Sequence, residues 1–185
     1  MKKFISALLS TLLFLIPCGS GCDMLDVLFD VFESDVEIVD KQFNKLITVM
    51  EEQNEEGLRT LFSINAIEQD GAFEKEIDSL FEYYQGELVS KETREPYVEE
   101  EVNEGVRRKM FASYCEVVTT ADAYRLYVLY VEIDEQTPVN EGIWSFYIIK
   151  RKDDTTYEEG WPYAGDAKDT PGINIAVLNS YVWES

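Results

Sequence analysis

From Leu25 onward the apolar residues fall at Leu28, Phe29, Phe32, Val36, Val39, Phe43, Leu46, Ile47 and Met50, almost throughout in steps of three and four. That spacing predicts an amphipathic helix with one buried face. Ser34 and Glu37 stand at capping-box spacing, so the helix either begins at Ser34 after a separate turn or runs on from about Met24. Asn54 is placed to cap a second helix through Leu58, Leu61 and Phe62. A third is predicted from about Gly71 to Tyr84, with Phe73, Ile77, Leu80, Phe81 and Tyr84 on one side and Gly86 as its stop.

Beyond Gly86 the period changes. Glu87 to Lys91 predicts a short strand, and Arg107–Thr119, Tyr124–Ile133 and Ile143–Lys152 predict three long ones. Thr93 to Glu104, with Pro96 and the run Glu99-Glu100-Glu101, reads as an acidic loop. Gln136–Asn140 and Asp153–Gly160 read as further loops, and Ile173–Val177 as an edge strand. Helices grouped before strands joined by short turns predict an α+β domain on a mainly antiparallel sheet. Along Tyr124–Ile133 both faces are apolar: Tyr124, Leu126, Val128 and Tyr130 alternate with Tyr127, Leu129, Val131 and Ile133. One face must cover the helices. The other requires the C-terminal segment or a second copy of the chain over it, so a homodimer is one expected partnership.

The first residues follow a different logic. Lys2 and Lys3 precede an apolar run from Phe4 to Pro17, shorter than the ~20 residues a spanning helix needs. Gly19, Ser20 and Gly21 then lead to Cys22. This resembles a bacterial lipoprotein signal, in which the cysteine after small residues becomes the acylated N-terminus. Gly19 stands where that pattern usually has Leu. Residues 1–21 are read as a signal peptide, 22–34 as the attachment site and a tether or helix start, and 35–185 as a single α+β domain. The expected location is the outer face of the cell membrane, held by lipid on Cys22, with ordinary secretion as the alternative.

Charge and composition narrow the function. The 185 residues hold 37 acids, 16 Lys and Arg and no histidine, for a net charge of −21. Removing residues 1–21 takes away Lys2 and Lys3 and no acid, leaving about −23 on the exported part. Such a chain is not expected to bind nucleic acid, whose phosphates need clustered cations, nor to lie on anionic lipid. Without histidine, Ser-His-Asp and Cys-His nucleophiles and His-ligated metals are excluded. Cleavage before Cys22 leaves Cys115 as the remaining free thiol, placed in an apolar strand as core. No EF-hand loop, Walker loop or dinucleotide glycine pattern occurs, so no cofactor and no metal site is expected.

The order of three segments carries a family likeness: Leu58-Arg59-Thr60-Leu61-Phe62-Ser63, Phe81 to Ser90, and Gly142 to Lys150, followed by Pro171-Gly172-Ile173-Asn174-Ile175. With three helices ahead of long hairpin-linked strands, the chain resembles the nuclear-transport-factor-two-like, or cystatin-like, cone fold. More closely, it resembles a family of uncharacterised lipoproteins of Gram-positive bacteria, over about Val36 to Ile175. The resemblance implies helices packed on a curved sheet and a lipid-anchored location; it implies no reaction. Cone folds often enclose a pocket in which a carboxylate and a tyrosine act on small ligands.

Two pairs have the local form for such chemistry: Tyr114 with Glu116, and Tyr130 with Glu132, each spaced to share one side of a strand. The plain alternative is that both glutamates solvate the sheet near its rim. Trp144, Phe146, Trp161, Tyr163 and Trp183 form an aromatic set that either packs the core or lines a ligand site, with Trp144, Trp161 and Tyr163 the binding candidates. The leading expectation is therefore a non-enzymatic, lipid-anchored module that binds a small molecule or a protein. The alternatives are a small-ligand enzyme, isomerase- or hydrolase-like, using a Glu/Tyr pair, and an acidic immunity or inhibitor protein that binds a basic partner.

Overall fold

The computed structural model describes residues 34–154 and 170–176, and the proposed signal and tether lie outside them. Among the described residues, four helices come first: α1 (Asp35–Glu51), α2 (Glu55–Leu61), α3 (Ile64–Gln69) and α4 (Phe73–Tyr83). Six strands follow: β1 (Leu88–Thr93), β2 (Tyr97–Asn103), β3 (Val106–Thr119), β4 (Ala123–Asp134), β5 (Gly142–Lys150) and β6 (Gly172–Ile175). None of the described helices is long and apolar enough to cross a membrane.

Local chemistry sets the helix ends. The Ser34 hydroxyl accepts from the Glu37 backbone N–H while Glu37 accepts from the Ser34 N–H, the reciprocal box expected from the sequence. The Asn54 side chain accepts from Gly57 N–H at 2.8 Å and starts α2. The short helix α3 was not anticipated; Ser63 caps it by accepting from Ala66 N–H at 3.1 Å. Six residues are too few to display a helical period.

The sheet runs β1-β3-β4-β5-β6, with β2 also paired to β3. Pairing is antiparallel except for β5 with β6, which is parallel, so the sheet is mixed. The acidic loop expected over Thr93–Glu104 is instead largely strand β2. Its Glu100 and Glu101 face Lys109 and Arg108 across β3, and Glu100 accepts from Arg107 Nε at 2.8 Å. That bond offsets the poor strand preference of Glu100. Glu104 and Gly105 both take positive φ, 52° and 84°, and close the β2–β3 hairpin in a two-residue turn.

The helices cover one face. Val39, Phe43, Leu46, Leu58, Phe73, Ile77 and Leu80 join Phe111, Cys115, Leu126, Val128, Phe146, Ile148 and Ile173 in one buried cluster. Tyr124 ties the end of α4 to the sheet: its hydroxyl accepts from Gln85 N–H at 2.9 Å and donates to the Tyr83 carbonyl at 3.1 Å. On the opposite face Tyr147 and Ile149 are also buried within a single chain. Thr170 N–H donates to the Tyr147 hydroxyl at 2.7 Å.

Asp70, at the end of α3, fastens β6. Its carboxylate accepts from Ala72 N–H at 2.9 Å and from Ile173 N–H at 3.2 Å. Gly172 has φ +85°, and a Cβ there would fall 1.9 Å from Asp70 Oδ2, which cannot swing aside without giving up those bonds. Gly172→Ala should therefore destabilise the fold by about 1–3 kcal/mol, whereas Gly71→Ala, where a Cβ meets open space, should change little. Urea unfolding of the two variants measures this, and equal stabilities would contradict the clamp.

Candidate functional site

Strand alternation places Arg125, between the core residues Tyr124 and Leu126, on the face away from the helices. It is 1% exposed. Glu116, directly opposite on β3, accepts from Arg125 Nε at 2.9 Å and from Nη2 at 2.7 Å through its Oε1. Asp154, buried just beyond β5, accepts from Arg125 Nη1. The second oxygen of Glu116 lies 2.9 Å from Arg151 Nη1, close in charge but not aligned as a hydrogen bond. The Tyr114 ring stands 5.5 Å from the Arg125 guanidinium carbon. Glu116 is thus a counter-ion to a buried arginine, neither a lone base nor a solvating rim residue.

The second pair sits at the far end of β4. Glu132 lies 3.3 Å from Lys109 Nζ, which also donates to Asp35 at the start of α1 at 2.8 Å. Burial works against the Lys109 charge, but Asp35 and Glu132 outweigh it and push its pKa up. Tyr130 stacks on Phe111, with centroids 6.2 Å apart at 12°. Burial, then Glu132 and Glu141, raise the Tyr130 phenol above its ordinary range. A phenol held neutral beside a paired carboxylate can donate a hydrogen bond but does not supply a base.

Trp144 is half-buried on β5, at the irregularity where Leu129 pairs with Ser145 but Tyr130 with Ile143. Phe146 is core. Cys22, Trp161, Tyr163 and Trp183 lie outside the described residues. Cys115 is fully buried, and burial pushes its thiol pKa up, away from reactivity.

Two polar clusters had no signal in the sequence. Asp40, on α1, accepts from Lys91 and Thr93 of β1 and from Asn44 at 3.0 Å. Burial opposes its charge, but the Lys91 and Thr93 bonds prevail and lower its pKa. The other is a carboxyl pair, Asp70 with Glu76. Burial first, then the neighbouring Asp70, raise Glu76 to about 7, against a small lowering by Lys75. Its Oε2 is buried with no hydrogen-bond partner. Neither contact could be read from spacing, because each joins elements whose packing only the fold defines. Among the described residues, no three Cys, Asp or Glu side chains come together as a metal site.

These elements make up an α+β domain with a mixed sheet. Residues 45–151 match the family described as a domain of unknown function (DUF5104), and the chain belongs to that family. The match runs from the middle of α1 to the end of β5, so it contains Arg125, Glu116, Lys109 and Glu132. No curated protein matches the chain.

Two measurements follow from this electrostatic map. Arg125→Met removes the cation shared by Glu116 and Asp154 and leaves Glu116 with Arg151 at 2.9 Å, and urea unfolding should show a loss of about 3–5 kcal/mol; a loss below about 1 kcal/mol would mean that Arg151 or water takes over the role of Arg125. Glu76 holds its proton more tightly in the fold than in the unfolded chain. The stability it contributes is therefore full below its ordinary value of 4.5 and is lost as pH rises through about 7. In Glu76→Gln, the fall in melting temperature between about pH 5 and about pH 8 should be smaller than in the wild type. An identical slope in both proteins would rule out Glu76 as the titrating group.

Proposed function

We propose that this chain is a lipid-anchored, extracytoplasmic binding domain on a nuclear-transport-factor-two-like cone, and not an enzyme. The observation that carries the non-enzymatic reading is the state of the two candidate carboxylates. Glu116 is bonded to Arg125 and Glu132 is paired with Lys109. Each carboxylate beside a tyrosine is already neutralised by a cation, so a general base would first have to give up an ion pair. The anchor rests on Lys2, Lys3, the apolar run to Pro17 and the small residues before Cys22. Helices over one face of a long antiparallel hairpin array support the cone reading, and the large acidic surplus supports a domain held in solvent clear of anionic head groups.

The anchor is tested by expressing the full chain in a Gram-positive host and partitioning the membranes with a cloud-point detergent. Wild-type protein should enter the detergent phase, with mass spectrometry showing an acylated N-terminal Cys22. Cys22→Ser should remain uncleaved or appear unacylated in the aqueous phase. Wild-type protein found in the medium and starting at another residue would replace anchoring by ordinary secretion.

A further inference from the structure

Strands β1 and β2 share one edge of β3: β1 pairs with its C-terminal half and β2 with its N-terminal half. Among the described residues no strand pairs with the outer side of β2. The backbone N–H and C=O groups along such an edge form a template for another extended chain. β2 also carries Tyr97, 71% exposed, and Val102, 68% exposed, the two most exposed large apolar residues among those described.

The charge on β2 is only partly answered by its neighbour. Arg107 bonds Glu100. Lys109 is occupied by Asp35 and Glu132, and Arg108 leans toward Asp134 at 4.0 Å. Glu99 and Glu101, on one face of the strand, are left without an ion pair among the described residues, and Glu104 sits at the hairpin turn beside them. A second copy of this edge would set one glutamate run against another, and like charges directly opposite in a ladder are destabilising.

We propose that the outer edge of β2 accepts an extended, Lys- or Arg-rich protein segment as an added strand. Backbone pairing supplies the register. Glu99 and Glu101, with the Tyr97 ring on the same face, receive the cations of the segment, and Val102 on the other face packs against its alternate side chains. This names the partner class of the binding domain proposed above and rests on that reading for its biological setting; the docking itself does not require the anchor.

The test uses the full chain, purified in detergent, and a fluorescent peptide of alternating Lys and Val about ten residues long. Anisotropy should show binding that weakens at least about tenfold between about 50 mM and about 500 mM salt. The same peptide N-methylated at alternate residues keeps its charge but cannot pair as a strand, and should bind at least about tenfold more weakly. Glu99→Gln/Glu101→Gln exchanges two side chains without disturbing the core, and should also lower affinity about tenfold with an unchanged circular dichroism spectrum. Tyr97→Ala should lower it with the strand ladder intact.

Failure of the Lys–Val peptide to bind overturns the proposal. Equal binding of the methylated peptide reduces the effect to bulk charge and overturns strand addition, and wild-type affinity in the double Gln variant moves the site elsewhere. A self-dimer strengthened by the double Gln variant in sedimentation would give the edge to a second copy instead. Because the experiment is done in detergent, its failure leaves the partitioning of Cys22 untouched, and a secreted, unacylated protein would leave the docking result standing.

Discussion

A guanidinium cannot sit in the middle of a sheet, shielded from water, unless its charge is met within hydrogen-bonding distance. Arg125 meets that requirement from two directions, through Glu116 on β3 and through Asp154 after β5. The two acids come from opposite sides of β4, so one side chain constrains three consecutive pieces of the sheet. A shift of one residue between β3 and β4 would turn Arg125 into the helix-facing core and carry Tyr124 and Leu126 out of it. The alternation that buries Tyr124, Leu126 and Val128 beneath the helices therefore depends on the ion pairs behind them. Such a cluster need not add net stability over an apolar one of the same shape. What it does is make one register far better than its neighbours.

The cations of this acidic chain are spent between elements. Lys91 of β1 meets Asp40 of α1, Lys109 of β3 meets Asp35 at the head of the same helix, and Lys150 at the end of β5 meets Asp122 ahead of β4. Lys91 and Lys109 are half-buried or better, where pairing is less screened than at the open surface. With 16 basic side chains against 37 acids, using cations as fasteners between helix and sheet leaves the unmatched negative charge outside. Most of the acidity of the composition is thus a surface property, and the buried charges among the described residues are Arg125, Asp134 and Asp154.

Much of this architecture was legible in the residue pattern. The three-four spacing of Val39, Phe43, Leu46 and Met50 marked α1, Ser34 and Asn54 marked helix starts, and the long apolar alternations marked β3, β4 and β5. What escaped was contextual. Glu99 to Glu101 read as loop because the basic run Arg107 to Lys109, of which Arg107 bonds Glu100, becomes a cross-strand neighbour only after the hairpin closes. Nothing local in the pattern of Tyr124–Ile133 marks Arg125 as a residue that would be buried. The parallel direction of β6 depends on the path taken between β5 and Gly172, which no periodicity encodes. For the candidate site, Glu116 and Glu132 were found by spacing, but their roles came from cations distant in sequence or on the next strand.

The bond from Ile173 to Asp70 joins residues 103 apart in the chain. Helix α4 also rests on β6, so a helix made early is completed by a strand made late. Closure of so long a loop comes after the local helices and hairpins have formed. A chain emerging N-terminus first therefore passes through a stage in which its helices and β3–β5 are present while the flank of β5 stands open. The order β1-β3-β4-β5-β6 is reached only once Gly172–Ile175 has been delivered, and until then the flank of β5 is open to proteases and to other chains.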